Sequence, residues 1–235
     1  MELWKHIRIF GQGVVDLIYP GECHLCGSGL APQEKFVCTP CIESLPRTGF
    51  HRNFRNPMEA RFAGKFPFVT ATGHFFYSRD SSLARLIQDM KYRNFPSLGD
   101  KLGEIAGEEL FMAGFLNDIE MIVPLPMHFF KKAKRGYNQT DHIARGISKA
   151  SGIPVTDALV MTRQRKTQTA LSAEQRFENA KNLFLPKKGI NLNDKGVLLV
   201  DDICTTGTTM ASAAKALTDS FPTIRLYLFT LGVTF

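Results

Sequence analysis

The chain has 235 residues, of which 44% are hydrophobic and 22% are charged. This composition excludes a disordered chain and predicts one large globular domain with a smaller one. The 29 basic and 22 acidic residues give a formal net charge of +7, which favours polyanionic partners such as nucleic acids and phosphorylated metabolites. No run of about eighteen apolar residues is present, and no small-residue cleavage site follows the apolar N-terminus. We therefore expect no membrane span and a cytoplasmic protein.

Residues 1–48 are predicted to form a helix followed by a zinc module. Apolar residues at helical spacing in residues 1–18 favour an amphipathic helix that packs against a neighbour, and binding to a membrane surface is the alternative. Two Cys-x2-Cys pairs follow, separated by eleven residues: Cys23 with Cys26, and Cys38 with Cys41. Four thiolates at this spacing can surround one Zn²⁺ tetrahedrally and leave no open position, which predicts a structural metal. Two disulfides are the alternative, and they are rare in the cytoplasm.

Residues 49–68 are predicted to form a linker in which aromatic and basic side chains are interleaved. The aromatic residues are Phe50, Phe54, Phe62, Phe66 and Phe68, and the basic ones are His51, Arg52, Arg55, Arg61 and Lys65. Such combinations are typical of proteins that bind single-stranded nucleic acid, because bases stack on rings and phosphates pair with cations. We favour the alternative, in which the Phe side chains pack onto the larger domain.

Residues 69–235 are predicted to form an α/β domain. Apolar patterns predict strands at Val69–Tyr77, Asp118–Val123, Leu159–Thr162, Val197–Val200 and Ile224–Gly232. Helical spacing predicts helices at Leu83–Met90, Gly99–Met112, Thr140–Ala150 and Met210–Leu217. Strands that alternate with helices indicate a parallel or mostly parallel sheet flanked by helices.

Positive charge is concentrated in residues 131–188. Thirteen basic and four acidic residues leave +9 there, more than the +7 of the whole chain. Four of the basic residues follow a predicted strand end: Lys131, Lys132, Lys134 and Arg135. Ligands of α/β proteins bind at such ends, which makes a merely solvated surface the weaker interpretation. The polar stretch from Arg163 to Arg176 has no clear apolar period and is predicted to be a mobile flap over a site.

The segment from Val197 to Thr209 has the pattern of a phosphate site. An apolar strand is followed by Asp201 and Asp202, then by a loop of small hydroxylated residues around Gly207, and then by a helix. Ligands bind at the carboxyl ends of strands and anions at helix N-termini, and glycine supplies the conformational freedom of a tight loop. The segment contains neither a P-loop pattern nor a dinucleotide fingerprint. We expect a phosphate cradle with two carboxylates beside it.

This order of strand, paired carboxylates, hydroxylated loop and helix resembles the signature of type I phosphoribosyltransferases. The resemblance implies that Asp201 and Asp202 are the catalytic pair and bind the ribose 2′- and 3′-hydroxyls of phosphoribosyl pyrophosphate (PRPP). It implies that a loop holds the 5′-phosphate, made of Thr205, Thr206, Gly207, Thr208 and Thr209. It also implies a pyrophosphate loop, made of Pro124, Leu125 and Pro126. Mg²⁺ would bridge the pyrophosphate and the ribose.

Nearly the whole chain resembles the competence-associated ComF family, also called the GntX family. The matching pieces are Asp16-Leu17 to Pro20, the cysteine pairs, Lys91-Tyr92-Arg93, Pro124-Leu125-Pro126, Arg135-Gly136-Tyr137-Asn138-Gln139, Thr167-Gln168-Thr169 with Leu171, Arg176 and Asn179, and the PRPP segment. Tyr137 stands where Phe is usual, and Thr208 stands where Ala is usual. The resemblance implies DNA uptake in natural transformation, in which single-stranded DNA is handled beside a helicase-type ATPase that translocates DNA.

Three functions are compatible with the residues and the resemblance. The preferred one is a cytoplasmic protein that binds single-stranded DNA and PRPP or a related ribose phosphate. Its predicted nucleic-acid-binding residues are Lys131, Lys132, Lys134, Arg135, Tyr137, Asn138, Gln139, Arg163, Arg165 and Lys166. The alternative is an active phosphoribosyltransferase that transfers ribose 5-phosphate to a nitrogen nucleophile, with cations of the flap neutralising the leaving pyrophosphate. The third is a regulator whose flap closes on PRPP and changes partner binding.

Overall fold

The computed structural model describes residues 21–93, 95–162 and 183–235. The helices there are α1 (Thr39–Glu43), α2 (Pro57–Phe62), α3 (Ser82–Tyr92), α4 (Pro96–Met112), α5 (Phe129–Arg135), α6 (Gln139–Ser151) and α7 (Thr208–Ser220). The strands are β1 (Thr70–Phe76), β2 (Met121–Pro124), β3 (Leu159–Met161), β4 (Phe184–Pro186), β5 (Gly196–Cys204) and β6 (Arg225–Val233). The predicted N-terminal helix and the predicted flap lie outside the described residues.

Four strands form a parallel sheet in the order β1-β6-β5-β2, which confirms the predicted parallel sheet. β5 and β6 occupy its centre, where strands are covered on both faces and therefore consist of continuous apolar runs. β3 and β4 pair antiparallel in a separate two-stranded sheet. Chain order and sheet order therefore differ, because the last two strands insert between the first two.

β5 continues to Cys204, so the predicted strand end at Val200 was wrong. β2 stops pairing with β5 at Pro124, opposite Val200, whereas β6 pairs with β5 as far as Cys204. Aspartate is depleted in strands, which explains the early predicted end. The pairing with β6 overrides that preference, and it places Asp201 and Asp202 in a strand segment that β2 leaves uncovered.

Helices cover both faces of the sheet, and successive side chains along each strand point alternately to the two faces. Leu198 and Val200 of β5 belong to one buried core, which also contains apolar residues of α3, α4 and α6. Val197 and Leu199 belong to a second core with residues of α2, α7 and the β3–β4 pair. This two-sided packing agrees with the expected α/β architecture.

α4 and α6 approach each other at backbone distance. A Cβ added at Gly103 would lie 2.2 Å from the carbonyl oxygen of Ile143, and one at Gly146 would lie 2.1 Å from that of Asp100. The two glycines are required because no side chain fits between these helices. This packing fixes α6, whose first residues reach the candidate site.

The cysteine-containing segment packs onto the same core as α3 and α4. Its apolar residues Leu30, Val37 and Leu45 are buried there together with Cys23 and Cys38. The chain that follows runs along the edge strand β1, because backbone N–H groups bond across at Thr48 to His74 (2.9 Å) and at Phe76 to Pro46 (2.8 Å). These bonds cover one exposed sheet edge.

The predicted linker contains α2, which the sequence interpretation did not anticipate. Phe50 and Phe62 are buried in the second core, as the packing interpretation expects, whereas Phe54 is 92% exposed. Among the described helices, none combines the length and the apolar character that a membrane span requires.

Candidate functional site

The paired carboxylates lie in a cleft of about 330 Å³ at the carboxyl ends of β2 and β5. Asp201 Oδ1 accepts a hydrogen bond from the backbone N–H of Asp202 (2.8 Å), and Asp202 Oδ1 accepts one from that of Ile203 (2.7 Å). Burial, together with the negative charge of Asp202, raises the pKa of the Asp201 carboxyl to about 8. The cleft therefore holds one carboxyl that readily keeps its proton near neutral pH.

Lys91, at the end of α3, reaches into this cleft. Its Nζ lies 2.6 Å from Asp202 Oδ2, and both side chains are largely buried. The ammonium is thus paired with Asp202, a carboxylate that the resemblance expects to bind a ribose hydroxyl. No sequence pattern signals that Lys91 belongs to the site, although Lys91-Tyr92-Arg93 is one of the pieces that resemble the ComF family.

Gly207 allows the loop between β5 and α7 to turn. Its φ of 77° lies in the left-handed region, and it is the N-cap of α7. A Cβ there would lie 2.8 Å from the Phe62 ring, so both conformation and contact require glycine. The Thr206 and Thr208 hydroxyls are hydrogen-bonded to each other at 2.9 Å. The Thr208 hydroxyl, at a position where Ala is usual in the family, therefore has a partner within the loop.

The loop residues divide between two cavities. Thr209 lines the cleft with Asp201 and Asp202. Thr205 and Thr206 are exposed, and Thr208 lines a second cavity of about 670 Å³ beside β4 and α7. The structure therefore brings together the carboxylates and Thr209, and it places the rest of the loop at the start of α7.

Arg61 of α2 fixes the same loop from outside. Its guanidinium donates to the carbonyl oxygens of Cys204 (3.2 Å) and Thr205, and also to that of Thr234. The guanidinium also lies 4.6 Å from the centroid of the Phe235 ring. The sequence interpretation counted Arg61 only among the linker cations, so this positioning role was missed.

The Pro124-Leu125-Pro126 turn forms another wall of the cleft. Leu125 and Pro126 line it, and Pro124 is the last residue of β2. The Leu125 carbonyl accepts hydrogen bonds from Asn138 Nδ2 (3.0 Å) and from the Thr140 hydroxyl (2.6 Å), while the Leu125 N–H donates to Val200 (2.8 Å). The turn is thus anchored to α6 and to β5.

The predicted nucleic-acid-binding residues differ in their surroundings. Asn138 and Gln139 are buried, and Asn138 holds the turn, so their contact with nucleic acid stays a prediction. Tyr137 donates its hydroxyl proton to the Met90 carbonyl at the end of α3. The side chain of Lys134 and all of Arg163, Arg165 and Lys166 lie outside the described part of the chain.

The basic residues of α5 stand on two sides of that helix. His128, Lys131 and Arg135, spaced three and four residues apart, line the cleft together with Asp201 and Asp202. Lys132 is exposed. Cations and carboxylates therefore face one cleft, an arrangement suited to a ligand that carries both phosphate and hydroxyl groups.

The two cysteine pairs converge at a candidate metal centre. The sulfur atoms of Cys23, Cys26, Cys38 and Cys41 all lie within 4.8 Å of one another. Cys26 Sγ and Cys38 Sγ are 3.7 Å apart. Four sulfurs bound tetrahedrally to zinc at about 2.3 Å would be roughly 3.8 Å apart, so the donor set fits this ion.

His24 ties this centre to α3. Its Nδ1 lies 2.9 Å from Asp89 Oδ2, and its ring packs edge-on against Phe95 at 4.9 Å between centroids. The imidazole thus contacts the helix that also carries Lys91. One helix therefore touches both candidate sites.

Comparison with known proteins places the chain in a family. A protein-family model described as the phosphoribosyl transferase domain matches residues 118–229. "Competence protein F" of Haemophilus influenzae is 36% identical over 213 residues, which is 83% of this chain and 90% of that protein. The chain belongs to the ComF family.

Other proteins resemble this ComF-family chain at lower identity. "DNA utilization protein YhgH" of Salmonella typhimurium is 27% identical, over 86% of this chain and 92% of the relative. The glutamine PRPP amidotransferase from B. subtilis, solved with ADP and GMP, matches 57% of this chain and 26% of its own, with 19% identity and a TM-score of 0.41.

The ComF-family chain has a type I phosphoribosyltransferase-like fold. The matched range 118–229 includes β2, β5 and most of β6, the parallel strands around the cleft. The four-cysteine centre lies before that range, and the similarity to Competence protein F covers most of the chain.

Proposed function

We propose that this ComF-family protein handles single-stranded DNA in the cytoplasm during DNA uptake or utilisation. We further propose that its cleft binds PRPP or a related ribose phosphate. The observation that carries the proposal is the cleft itself, which is lined by Asp201 and Asp202 together with Lys131, Arg135 and the anchored Leu125 turn. The names of the relatives, a competence protein and a DNA utilization protein, support the DNA-related part. A helicase-type ATPase remains the expected partner in that process.

The groups of the cleft suit the parts of PRPP. Asp201 and Asp202 would accept hydrogen bonds from the ribose hydroxyls. The N-terminal turn of α7 would bind the 5′-phosphate, since its first N–H groups lack partners within the helix. The Leu125 turn, Lys131 and Arg135 would receive the pyrophosphate.

Two metals belong to this proposal. Mg²⁺ prefers carboxylate and phosphate oxygens, which the Asp pair and the pyrophosphate supply, and it would neutralise charge between them. Zn²⁺ would be held by Cys23, Cys26, Cys38 and Cys41, where four thiolates leave no position for a substrate. The zinc would therefore stabilise the fold and not take part in chemistry.

Ligand binding in this cleft requires a change at Lys91. Its ammonium is paired with Asp202 at 2.6 Å, so a ribose hydroxyl must displace it. Released from that pair, the ammonium remains beside the cleft and can approach a phosphate. We expect Lys91→Met to weaken PRPP binding more than the binding of a ribose without phosphates.

The decisive experiment measures both ligands on the same variants. Calorimetry with PRPP and Mg²⁺ should show binding to the wild type and none to the double variant Asp201→Asn with Asp202→Asn. Anisotropy with a labelled oligonucleotide should show binding that falls with salt by about 0.7 log units per phosphate contact for each log unit of salt. If the wild type did not bind PRPP, or did not bind the oligonucleotide, the corresponding half of the proposal would be refuted.

Charge removal at α5 tests the DNA surface. Changing Lys131, Lys132, Lys134 and Arg135 to Ala should reduce oligonucleotide affinity and flatten its salt dependence. A matched variant that removes four exposed cations elsewhere should bind as the wild type does: Lys35→Ala, Arg79→Ala, Lys101→Ala and Lys188→Ala. If the wild type, the α5 variant and the control variant bound the oligonucleotide with equal affinity, this would count against a binding site for single-stranded DNA at α5.

Phosphoribosyl transfer is the second candidate function. Lys91, Lys131 and Arg135 line the cleft together with two carboxylates, and phosphoribosyl transfer depends mainly on positioning and on stabilising the charge of the departing pyrophosphate. Pyrophosphate release from PRPP should then appear with some member of a panel of bases and amines. No release across the panel, with PRPP bound, would leave binding as the function of the cleft.

A further inference from the structure

α5 presents two neighbouring aromatic rings to solvent. Phe129 is 72% exposed and Phe130 is 67% exposed. Their ring centroids are 5.9 Å apart, and Phe130 also stacks on His128 at 5.4 Å with an interplanar angle of 27°. The rings thus pack on each other and on His128 while their outer surfaces stay open.

The two rings lie outside the cleft, next to a residue that lines it. His128, Lys131 and Arg135 share the face of α5 that lines the cleft. Phe129 and Lys132, also three residues apart, lie on a neighbouring side, and both are exposed. Phe130 stacks on His128, which lines the cleft, so the aromatic pair lies outside the cleft and next to its wall.

The backbone under the rings is fixed at both ends. The Phe130 N–H donates to His128 Nδ1 at 3.3 Å at the start of α5. The helix ends at Gly136, whose φ is 82° and whose N–H bonds to the Lys132 carbonyl at 2.7 Å. A short, capped helix can hold exposed rings in place without burying them.

A third exposed ring lies at the other end of α5, beside its last residue, Arg135. Tyr92 is 72% exposed, and the Arg135 guanidinium lies 5.4 Å from its ring centroid. Aromatic faces interleaved with Lys and Arg suit single-stranded nucleic acid, because bases stack on the rings and phosphates pair with the cations. A protein-docking patch would be expected to be depleted of Lys. Duplex DNA, whose bases are already stacked, fits less well.

We propose that Phe129, Phe130 and Tyr92 form the base-stacking surface of the site for single-stranded DNA, at the rim of the ribose-phosphate cleft. This inference rests on the proposed DNA-binding function and specifies its ligand, a single strand with accessible bases. Because every base offers a ring face, recognition by this surface tolerates all sequences. The expected sequence preference is weak, and the expected preference for single over double strands is strong.

The test separates stacking from charge. Phe129→Ala with Phe130→Ala should lower oligonucleotide affinity by about 5- to 150-fold for each stacked base lost and leave the salt slope unchanged. Lys131→Ala with Lys132→Ala should instead reduce that slope by roughly 1.4, or about 0.7 per lost phosphate contact. Phe54→Ala, at a ring that is 92% exposed in another segment, should bind as the wild type does.

An abasic strand of equal length gives the control on the ligand side. The wild type should bind it more weakly than the normal strand, and the Phe129/Phe130 variant, which keeps only the Tyr92 ring, should show a smaller difference between the two strands. Since both rings are exposed, the variant should unfold at the wild-type temperature. A wild type that binds no single strand refutes the proposed function itself. A wild type that binds, with a Phe129/Phe130 variant of equal affinity, overturns the stacking surface alone.

Discussion

Asp201 illustrates how the residues of this cleft suit ligand binding better than stability. Its carboxyl lies beside Asp202 and is shielded from water, and its pKa is raised to about 8, whereas an unfolded Asp titrates near 4. Between these values the folded chain binds a proton that the unfolded chain does not. Stability therefore falls as pH rises through this window, and a polyol or cation that engages the carboxylate would offset the loss.

We expect Asp201→Asn to raise the melting temperature while it abolishes PRPP binding. The amide has no charge to desolvate, so the difference from the wild type should widen from about pH 4 to about pH 8 and then level off. Thermal unfolding across this range measures it. The control is Asp219→Asn, at an exposed carboxylate paired with Lys215 at 2.9 Å, where a small change is expected. A variant less stable than the wild type at pH 8 would contradict the electrostatic account.

Gly207→Ala should disrupt the phosphate loop. The added Cβ would meet the Phe62 ring at 2.8 Å and would occupy a φ of 77°, at an expected combined cost of about 2–4 kcal/mol. Chemical denaturation and PRPP binding measure the effect. Gly189→Ala is the matched control, because its φ is 81° and nothing lies within 4 Å of the added atom. Equal losses in both variants would show that the Phe62 contact adds nothing.

The site residues that sequence could predict are those within one segment. Asp201, Asp202 and Gly207 lie in a single strand, loop and helix pattern, and the structure has this order, although β5 continues through both aspartates to Cys204. Arg61 contacts Cys204 across 143 positions, and no local pattern signals such a contact. Lys91 likewise joins the site only because α3 packs beside β5.

Among the secondary structure elements, the long and periodic ones were predicted best. The helices α4 and α6 and the strands β1 and β6 lie within a few residues of their predicted ends. α5 was missed, because its Phe residues face solvent and its polar residues line a cleft, which inverts the usual helical pattern. α2 and β4 are short and depend on contacts with the second core, so tertiary packing decides them.

α2 acts on the site through Arg61, and Arg61→Met tests this. Removing three hydrogen-bonded carbonyl contacts should loosen the loop after β5. We expect about 1–3 kcal/mol of lost stability and PRPP affinity lowered roughly tenfold. Denaturation and calorimetry measure these effects. Arg79→Met, at an exposed position, should leave both unchanged, and unchanged PRPP affinity in Arg61→Met would remove α2 from the site.

At the scale of the whole molecule, the cysteine centre and the cleft share one helix and one core. Asp89 and Lys91 of α3 contact His24 and Asp202 respectively. Leu30, Val37 and Leu45 of the cysteine segment are buried with Leu83 of α3. The predicted division at residue 48 therefore marks a change of motif, and packing continues across it.

Metal removal should consequently destabilise the entire chain. We expect one zinc ion per chain, and chelation should lower the melting temperature by about 10 °C or more in a single transition, since structural zinc contributes folding energy directly. Metal analysis and calorimetry measure both. Cys204→Ser changes a buried thiol outside the cluster and should leave the metal content intact. Chelation without any shift in melting would show that the centre does not support the fold.

The order of the strands along the chain determines when each one can pair during synthesis. In the described sheet, β1 pairs with β6 and β2 pairs with β5, so the first two strands leave the ribosome long before their partners. The cysteine cluster is complete by Cys41, so the proposed zinc would bind early, whereas the cleft cannot exist until residues 196–233 have emerged. A nascent chain thus carries unpaired apolar strands through most of translation. We expect premature termination before β6 to yield a metal-binding but insoluble fragment, and holdase chaperones to be needed most during the last stage of elongation.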